Sequence, residues 1–330
     1  MRGLGAPAGR HLIVSAQICP LVPILARQCG FAVRFVDVGA ALPVPSATQL
    51  STAIDENTAG VIIAPMYGFL AGDYTPLVDR LRQMPHTRLI LDLAQGLGLN
   101  EPLAILRPAA DAVVYSFGLG KGLDCGGGLL LTRSPLPRPK QRRRTSFAPL
   151  IQSLGVRTCS ALGIYRLLAG SLDSAVEKDK QSESLGDARA SSSLFCLWQS
   201  RLATFLDEVR LARARSLQLA ELGSLQTTFR NTEDYLGGPG THLRQILRLR
   251  DPAERDRMIN RLRAAGIDAA PAGEPLPGDY FPDVMNADFP HAAAFRQDAL
   301  RLPFLGRLSE RQFAFLGRQL EICIASHLSA

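Results

Sequence analysis

The pattern of apolar and polar positions divides the chain into two unlike halves. In the first, short apolar runs alternate with amphipathic segments. His11–Ala16, Ala32–Val38, Ala59–Pro65 and Arg88–Leu93 read as strands, and Ala59–Pro65 is of the buried type. Leu21–Gln28, Thr48–Glu56 and Thr75–Gln83 read as helices between them, the first closing on Gly30 as a C-cap, and Leu42–Pro45 as loop. Strands separated by helices of this length predict a largely parallel, doubly wound α/β sheet with right-handed crossovers. Ligands collect outside the carboxyl ends of such strands. Tyr67, Asp92 and Ser116 all fall at such ends, which predicts one shared site.

In the second half the periods lengthen. Arg133–Arg144 reads as loop and Leu150–Leu172 as partly helical. The polar, serine-rich stretch Lys178–Ser193 reads as a hinge or linker. Ser192–Leu225 reads as one long amphipathic helix, with Leu197, Leu202, Phe205, Val209, Leu217 and Leu222 among its apolar positions. Trp198 is expected in core or dimer packing. The tail predicts a strand (Leu243–Leu249), a helix (Pro252–Ala265), an extended segment (Ile267–Pro271) and two helices, His291–Leu300 and Ser309–Ser326. Ser309 and Gln312 have the spacing of a capping box. The expected division is therefore a large domain over residues 1–190 and a long helix with a small α/β domain over residues 191–330. No internal repeat is visible.

The chemistry concentrates in Asp111–Leu131, DAVVYSFGLGKGLDCGGGLLL, which reads as strand, turn, strand. Between Ala112–Tyr115 and Leu129–Leu131 lie Ser116, Lys121 and six glycines. Glycine allows positive φ and a close approach to a ligand or another strand. A lysine flanked by glycines projects into a cavity without crowding, and partial burial lowers its pKa, so its amine can attack an aldehyde. By itself this segment is equally a glycine-rich turn with a solvated lysine. Upstream, Arg88–Leu97 is an apolar strand ending on Asp92, with Gln95 three residues on. Asp92 alone could cap a helix. An acid at one strand end, next to a strand carrying Ser and Lys, fits pyridoxal phosphate (PLP): the lysine forms the Schiff base and the carboxylate keeps the pyridine nitrogen protonated.

Composition narrows the field. Of 330 residues, 46% are apolar and 20% charged, which is the balance of a globular chain with a sizeable core. The net charge of +7 is spread out apart from Arg138–Arg144, RPKQRRR, which reads as a solvated loop, so no nucleic-acid partner is expected. The six cysteines form no CxxC pair and have no histidines at metal-ligand spacing. No metal and no disulfide framework are expected, and a reducing, cytoplasmic setting suits them. The most apolar early run, His11–Ala26, is interrupted by Ser15, Gln17 and two prolines, so neither a signal peptide nor a membrane span is expected.

With these residues in view, the chain resembles the DegT/DnrJ/EryC1/StrS family of PLP-dependent aminotransferases. The matching stretches run in the family's order: Gly3–Pro20, Gly30–Val38, Ala64–Asp73 with its Tyr-Gly, Asp92–Gln95, the Ser116/Lys121 segment, Arg257–Ile267 and Leu300–Pro303. The resemblance implies the aspartate-aminotransferase-like architecture, PLP fold type I, with a small C-terminal domain. It implies PLP bonded to Lys121, Asp92 at the pyridine nitrogen, Gln95 beside the ring, Ser116 at the phosphate, and Tyr67 in the same site. It further implies a small-molecule amino donor, a keto-acceptor such as a nucleotide-linked keto-sugar, and a homodimer whose sites are shared between subunits.

Departures from the pattern are also legible. The chain reads as N-terminally short: it begins after the element whose Gly-Thr turn holds the cofactor phosphate in relatives. The position of the ring that stacks on the pyridine falls near Gln17–Ile18, where there is no aromatic residue, and Ala188–Ser193 offers no asparagine for the partner's phosphate. Weak PLP binding is therefore expected. Two other readings stay open: a non-catalytic relative acting as a partner subunit, and a PLP enzyme of other chemistry, a dehydratase or lyase.

Overall fold

The computed structural model describes residues 9–99, 101–118, 120–135, 192–230, 233–238 and 240–328. The first half builds a six-stranded sheet. Its strands are β1 (His11–Ser15), β2 (Ala32–Val36), β3 (Thr58–Ile63), β4 (Arg88–Asp92), β5 (Ala112–Ser116) and β6 (Gly128–Thr132), in the order β2-β1-β3-β4-β5-β6. β1 to β5 are parallel, and β6 runs antiparallel to β5 with Ser116 opposite Gly128. The crossovers are α1 (Leu21–Gln28), α2 (Ala47–Ala53), α3 (Thr75–Gln83) and α4 (Glu101–Ala109). The central strands β1 and β3 are buried on both faces, which is why they carry runs such as Val61–Ile63 with no polar alternation. Ile13, Val61, Ile63, Leu89 and Leu91 pack with α2, α3 and α4 on one face. Leu12, Val14, Ile62 and Ile90 pack with Ala26 of α1 and with Phe31 on the other.

The second half opens with α5 (Ser192–Ala220) and α6 (Gly223–Thr228). A smaller antiparallel sheet follows, ordered β7-β8-β10-β9, from β7 (Phe229–Arg230), β8 (Gln245–Leu249), β9 (Ala270–Pro271) and β10 (Ala299–Leu302). It packs with α7 (Arg255–Ala264), α8 (Pro290–Asp298) and α9 (Glu310–Leu328). The fold is the doubly wound α/β arrangement expected, with a second, smaller α/β unit.

α1 and α3 have their expected limits, and the capping box of α9 forms: Gln312 N donates to Ser309 Oγ at 3.2 Å and Ser309 N to Gln312 Oε1 at 2.8 Å. Two readings are corrected, and one helix was missed. The long helix does not run through to Leu225; it breaks at Leu222, where the backbone turns extended (ψ 101) before α6. The helix expected over His291–Leu300 ends at Asp298. Leu300 and Arg301 instead pair with Leu247 and Ile246 of β8, and a ladder with partners that distant in sequence overrides local helical preference. Finally, Glu101–Ala109 is a helix that no reading of the sequence anticipated; Pro102 and Pro108 obscure its period. The expectations for Arg138–Arg144, Leu150–Leu172, Lys178 to Ser191 and the phosphate asparagine at 188–191 lie outside the described residues.

The two units are joined by specific polar contacts. Asp37, just past β2, accepts the first free amides of α8, from His291 and Ala292, both at 2.9 Å; a carboxylate at a helix N-terminus is also favoured by the helix dipole. Gln17, beyond β1, is wholly buried: it accepts the Glu274 amide at 2.8 Å and donates to the Ala292 carbonyl at 3.5 Å. Arg248 Nη1 donates to the Ala40 carbonyl at 2.6 Å.

Candidate active site

The carboxyl ends of β3, β4 and β5 come together beside the turn between β5 and β6, which carries Lys121. Three backbone bonds pin the base of that turn at Phe117. Its amide donates to Gly127 O at 2.9 Å, and its carbonyl accepts from Cys125 N at 2.9 Å and Gly126 N at 2.7 Å. Gly120, Gly126 and Gly127 have positive φ (74, 80 and 78), which explains the glycine density. The turn is not a solvated loop. Phe117, Leu123 and Cys125 belong to the same buried cluster as Trp198 and Phe205 of α5 and as Leu247, Leu302 and Leu320 of the second unit. Trp198 donates its indole N–H to Gly126 O at 3.1 Å and stands edge-on to Phe117 with centroids 4.7 Å apart. The single tryptophan thus holds the lysine turn to α5.

Asp92 closes β4. Its Oδ1 accepts the Ala94 amide at 3.1 Å, a local Asx turn rather than a helix cap, since α4 begins only at Glu101. Burial raises the Asp92 carboxyl above the usual carboxylate range; the Ala94 bond and the charge of Lys121 oppose that rise. Asp92 thus ends β4 beside β5, the strand that leads into the turn carrying Lys121. Ser116 ends β5, two residues beyond Val114, the register partner of Asp92. A Cβ placed on Gly118 would meet nothing nearer than Ser116 Oγ, at 3.8 Å, so this glycine leaves open space beside the hydroxyl.

Gln95 and Tyr67 form a second pair. The Tyr67 amide donates to Gln95 Oε1 at 2.8 Å, leaving the Gln95 Nε2 as the group able to donate to a ligand. Tyr67 has φ 56, uncommon for a residue with a side chain. Its ring lies 6.2 Å from that of Phe295, and its hydroxyl accepts the Gly273 amide at 2.7 Å. Burial, followed by the Glu274 charge, raises its phenol above the usual range. Tyr67 thus reaches the site through its backbone while its side chain enters the second unit. Gly68 follows at φ 88, where a Cβ would come 1.9 Å from Thr241 Oγ1, so only glycine fits.

Two residues of this site were not singled out in the sequence. Asp124 accepts the Gly120 amide at 2.6 Å, and Arg307 donates from Nη2 to Gly122 O at 2.7 Å. An acid inside a glycine run was visible for Asp124. Nothing in the sequence near Arg307 marks it. Among the described residues no group of His, Cys, Asp and Glu side chains could hold a metal ion, and no helix is long and apolar enough to cross a membrane.

The architecture is that of the PLP fold type I aminotransferases. Over 99% of this chain and 82% of the other, it superposes on the aminotransferase TlmJ from Streptoalloteichus hindustanus with a TM-score of 0.68 at 18% identity. The match to DesV of S. venezuelae, solved with a ketimine intermediate, has a TM-score of 0.69 at 19% identity, covering 98% of this chain and 80% of DesV. Spr1654 of Streptococcus pneumoniae, named as a candidate sugar aminotransferase and solved in its PMP form, matches at 0.66 and 16%, covering 99% and 83%. Residues 1–154 match the model of the DegT/DnrJ/EryC1/StrS aminotransferase family, so the resemblance read from the sequence holds over that stretch. No curated protein matches the chain. The donor set fits PLP: a buried acid at the end of β4, an amine in the turn after the neighbouring strand, a hydroxyl at that strand's end, and a carboxamide with a donor to spare.

Proposed function

We propose that the chain is a PLP-dependent aminotransferase that takes an amino group from a small-molecule donor and delivers it to a keto group on a sugar, nucleotide-linked by family analogy. The placement of Asp92 at the end of β4, beside β5 with Ser116 at its end and Lys121 in the turn that follows, supports this reading. PLP supplies the electron sink that makes a proton on the donor's α-carbon removable. Lys121 would hold the cofactor, and its amine would be the general base and acid that accepts that proton and returns it. Asp92 holds a proton on the pyridine nitrogen, in a buried position where opposite charges interact strongly. Ser116 donates its hydroxyl to the phosphate, Gln95 donates Nε2 to the ring oxygen, and Tyr67 keeps Gln95 turned that way.

In this reading residues 1–190 form the cofactor-binding domain and residues 191–330 the long helix and small domain, working in the cytoplasm as a homodimer. The exposed edge strand β6 supports association: Leu129, Leu130 and Leu131 are 38%, 51% and 50% exposed, and Phe195 on α5 is 52% exposed. A specific dimer should bury more than ~1,000 Å². One observation favours a non-catalytic relative instead. Gln17, at the stacking position, is committed to the Glu274 and Ala292 backbones, so that position offers no ring to the cofactor.

The test uses the chain's scarcity of lysine: Lys121, Lys140, Lys178 and Lys180 are all there are. Borohydride reduction of the PLP-loaded protein should leave a phosphopyridoxyl adduct on Lys121 and on no other lysine. Asp92→Asn should still bind PLP yet lose turnover by ~100-fold or more. An adduct elsewhere, or near-normal turnover in Asp92→Asn, overturns the assignment; a wild type that takes no PLP leaves the non-catalytic reading standing.

A further inference from the structure

We propose that Asp124 and Arg307 are positioning residues for Lys121, a clamp through which the C-terminal unit fixes where the lysine amine stands. The inference rests on Lys121 being the cofactor lysine, but its geometry stands without that reading. The two residues flanking Lys121 are each held by one member of an ion pair, Gly120 through its amide and Gly122 through its carbonyl. Gly120 N donates to Asp124 Oδ1 at 2.6 Å, Gly122 O accepts from Arg307 Nη2 at 2.7 Å, and Arg307 Nη1 closes the ring on Asp124 Oδ2. Arg307 Nε donates to Glu208 Oε2 of α5 at 2.8 Å, and Glu208 Oε1 is 3.4 Å from Arg201. Asp124 is 8% exposed and sits at φ 51, a left-handed conformation that aspartate tolerates better than most residues.

Such a clamp answers a physical need. A turn with glycines at 118, 120, 122 and 126 to 128 has little conformational preference of its own. A lysine amine lies at the end of four rotatable bonds, so an error at its Cα is carried to the nitrogen. A planar guanidinium can hold two carboxylates and a carbonyl at once; an ammonium is a single point charge and cannot reproduce the fork.

Arg307 is itself held firmly. It ends a turn, Leu305–Arg307, whose Leu305 carbonyl accepts from the buried Arg215 of α5 at 2.8 Å, as does the Leu308 carbonyl at 2.6 Å. A Cβ on Gly306 would come 1.9 Å from the Glu208 carbonyl oxygen, so this turn is pressed against α5. From the other side, a Cβ on Gly122 would lie 2.8 Å from the Phe205 ring. The lysine turn is therefore seated between α5 and Arg307 with no room to shift.

The experiment compares full-length wild type, Arg307→Met, Arg307→Lys and Asp124→Asn with Met258→Ala, which lowers the stability of the same unit from α7 without touching the ion pair itself. Two readouts are taken on folded protein. The first is competitive amine labelling without cofactor, Lys140, Lys178 and Lys180 serving as internal references. The second is the rate at which added PLP becomes borohydride-trapped on Lys121. Arg307→Met and Asp124→Asn should change Lys121 labelling relative to the references and slow trapping by about 10–100-fold, the scale of an ångström's misplacement. Arg307→Lys should restore little, and Met258→Ala should change neither readout. Unchanged labelling and trapping in Arg307→Met and Asp124→Asn, or the same changes in Met258→Ala, would overturn the clamp. If wild type itself traps no PLP at Lys121, the functional reading fails and the labelling comparison alone decides the clamp.

Discussion

The hydroxyl of Tyr67 accepts the amide proton of Gly273 at 2.7 Å, so the residue that steadies Gln95 also holds the segment leaving β9. The candidate site and the joint between the two units thus share one residue, its backbone serving the first and its side chain the second. Gln17 grips the next residue in the same way, its Oε1 taking the Glu274 amide at 2.8 Å.

Tyr67→Phe separates the two duties. The phenyl ring keeps the contact with Phe295, and the backbone amide still donates to Gln95, but the Gly273 amide loses its acceptor. Left unsatisfied in its part-buried position, that donor costs at most about 1–3 kcal/mol. Urea unfolding should show a loss of that size, while PLP trapping at Lys121 keeps its wild-type rate. A loss within ~0.5 kcal/mol, the range of an ordinary surface substitution, would mean the bond contributes nothing; slowed trapping would mean the hydroxyl itself serves the cofactor.

His242 predicts an acid limb in the stability. It is wholly buried, with φ 48, its ring 5.5 Å from that of Phe69 and its Nε2 3.2 Å from the Gly238 carbonyl; its Nδ1 has no partner among the described residues. Burial pushes its pKa down to about 4, the Gly238 bond opposing. The unfolded chain takes the proton near 6.5 and the native one only near 4, so between those values the unfolded state binds more protons. Stability is then full above pH 6.5 and falls as pH drops towards 4, by on the order of 3 kcal/mol at 1.36 kcal/mol per unit. His11, also lowered by burial, acts in the same direction. His242→Asn, which tolerates the left-handed backbone, should be less stable at pH 7.5 but lose most of this slope. An unchanged slope in denaturant midpoint between pH 7 and 5 would assign the limb to other groups.

What the sequence disclosed, and what it withheld, follow from the range of the forces involved. The central strands β1 and β3 of the first sheet show because both their faces are buried, so the apolar runs are unbroken at Leu12–Val14 and Val61–Ile63. The candidate residues at 67, 92, 95, 116 and 121 show because strand ends and glycine turns have local marks. β10 was hidden because it follows Asp298 with no breaker, and only pairing with β8, about fifty residues upstream, makes Ala299–Leu302 a strand. Asp37 read as the end of a strand, yet its carboxylate caps a helix some 254 residues away. Arg307 was invisible for the same reason: what distinguishes it is the Gly122 carbonyl, 185 positions earlier.

The strongest stability prediction concerns Asp298, which ends α8 just before β10. It is wholly buried and accepts a bidentate pair from Arg248 of β8, Nε to Oδ1 at 2.8 Å and Nη2 to Oδ2 at 2.9 Å, with Arg230 of β7 on the same carboxylate. Arg248 is only 3% exposed and also holds the Ala40 carbonyl. Asp298→Leu would leave a buried guanidinium without its counter-charge, and breaking such a pair costs about 3–5 kcal/mol. Removing both charges is a different change. Two apolar side chains of similar volume often match or exceed a buried ion pair, so Arg248→Met with Asp298→Leu should recover most of the loss, and Arg230, 37% exposed, can turn to solvent. Chemical denaturation of wild type, the single variant and the double variant measures the coupling. A double variant no more stable than Asp298→Leu alone would show that the cost lies in the Arg248 bond to Ala40 and in packing, not in an orphaned charge.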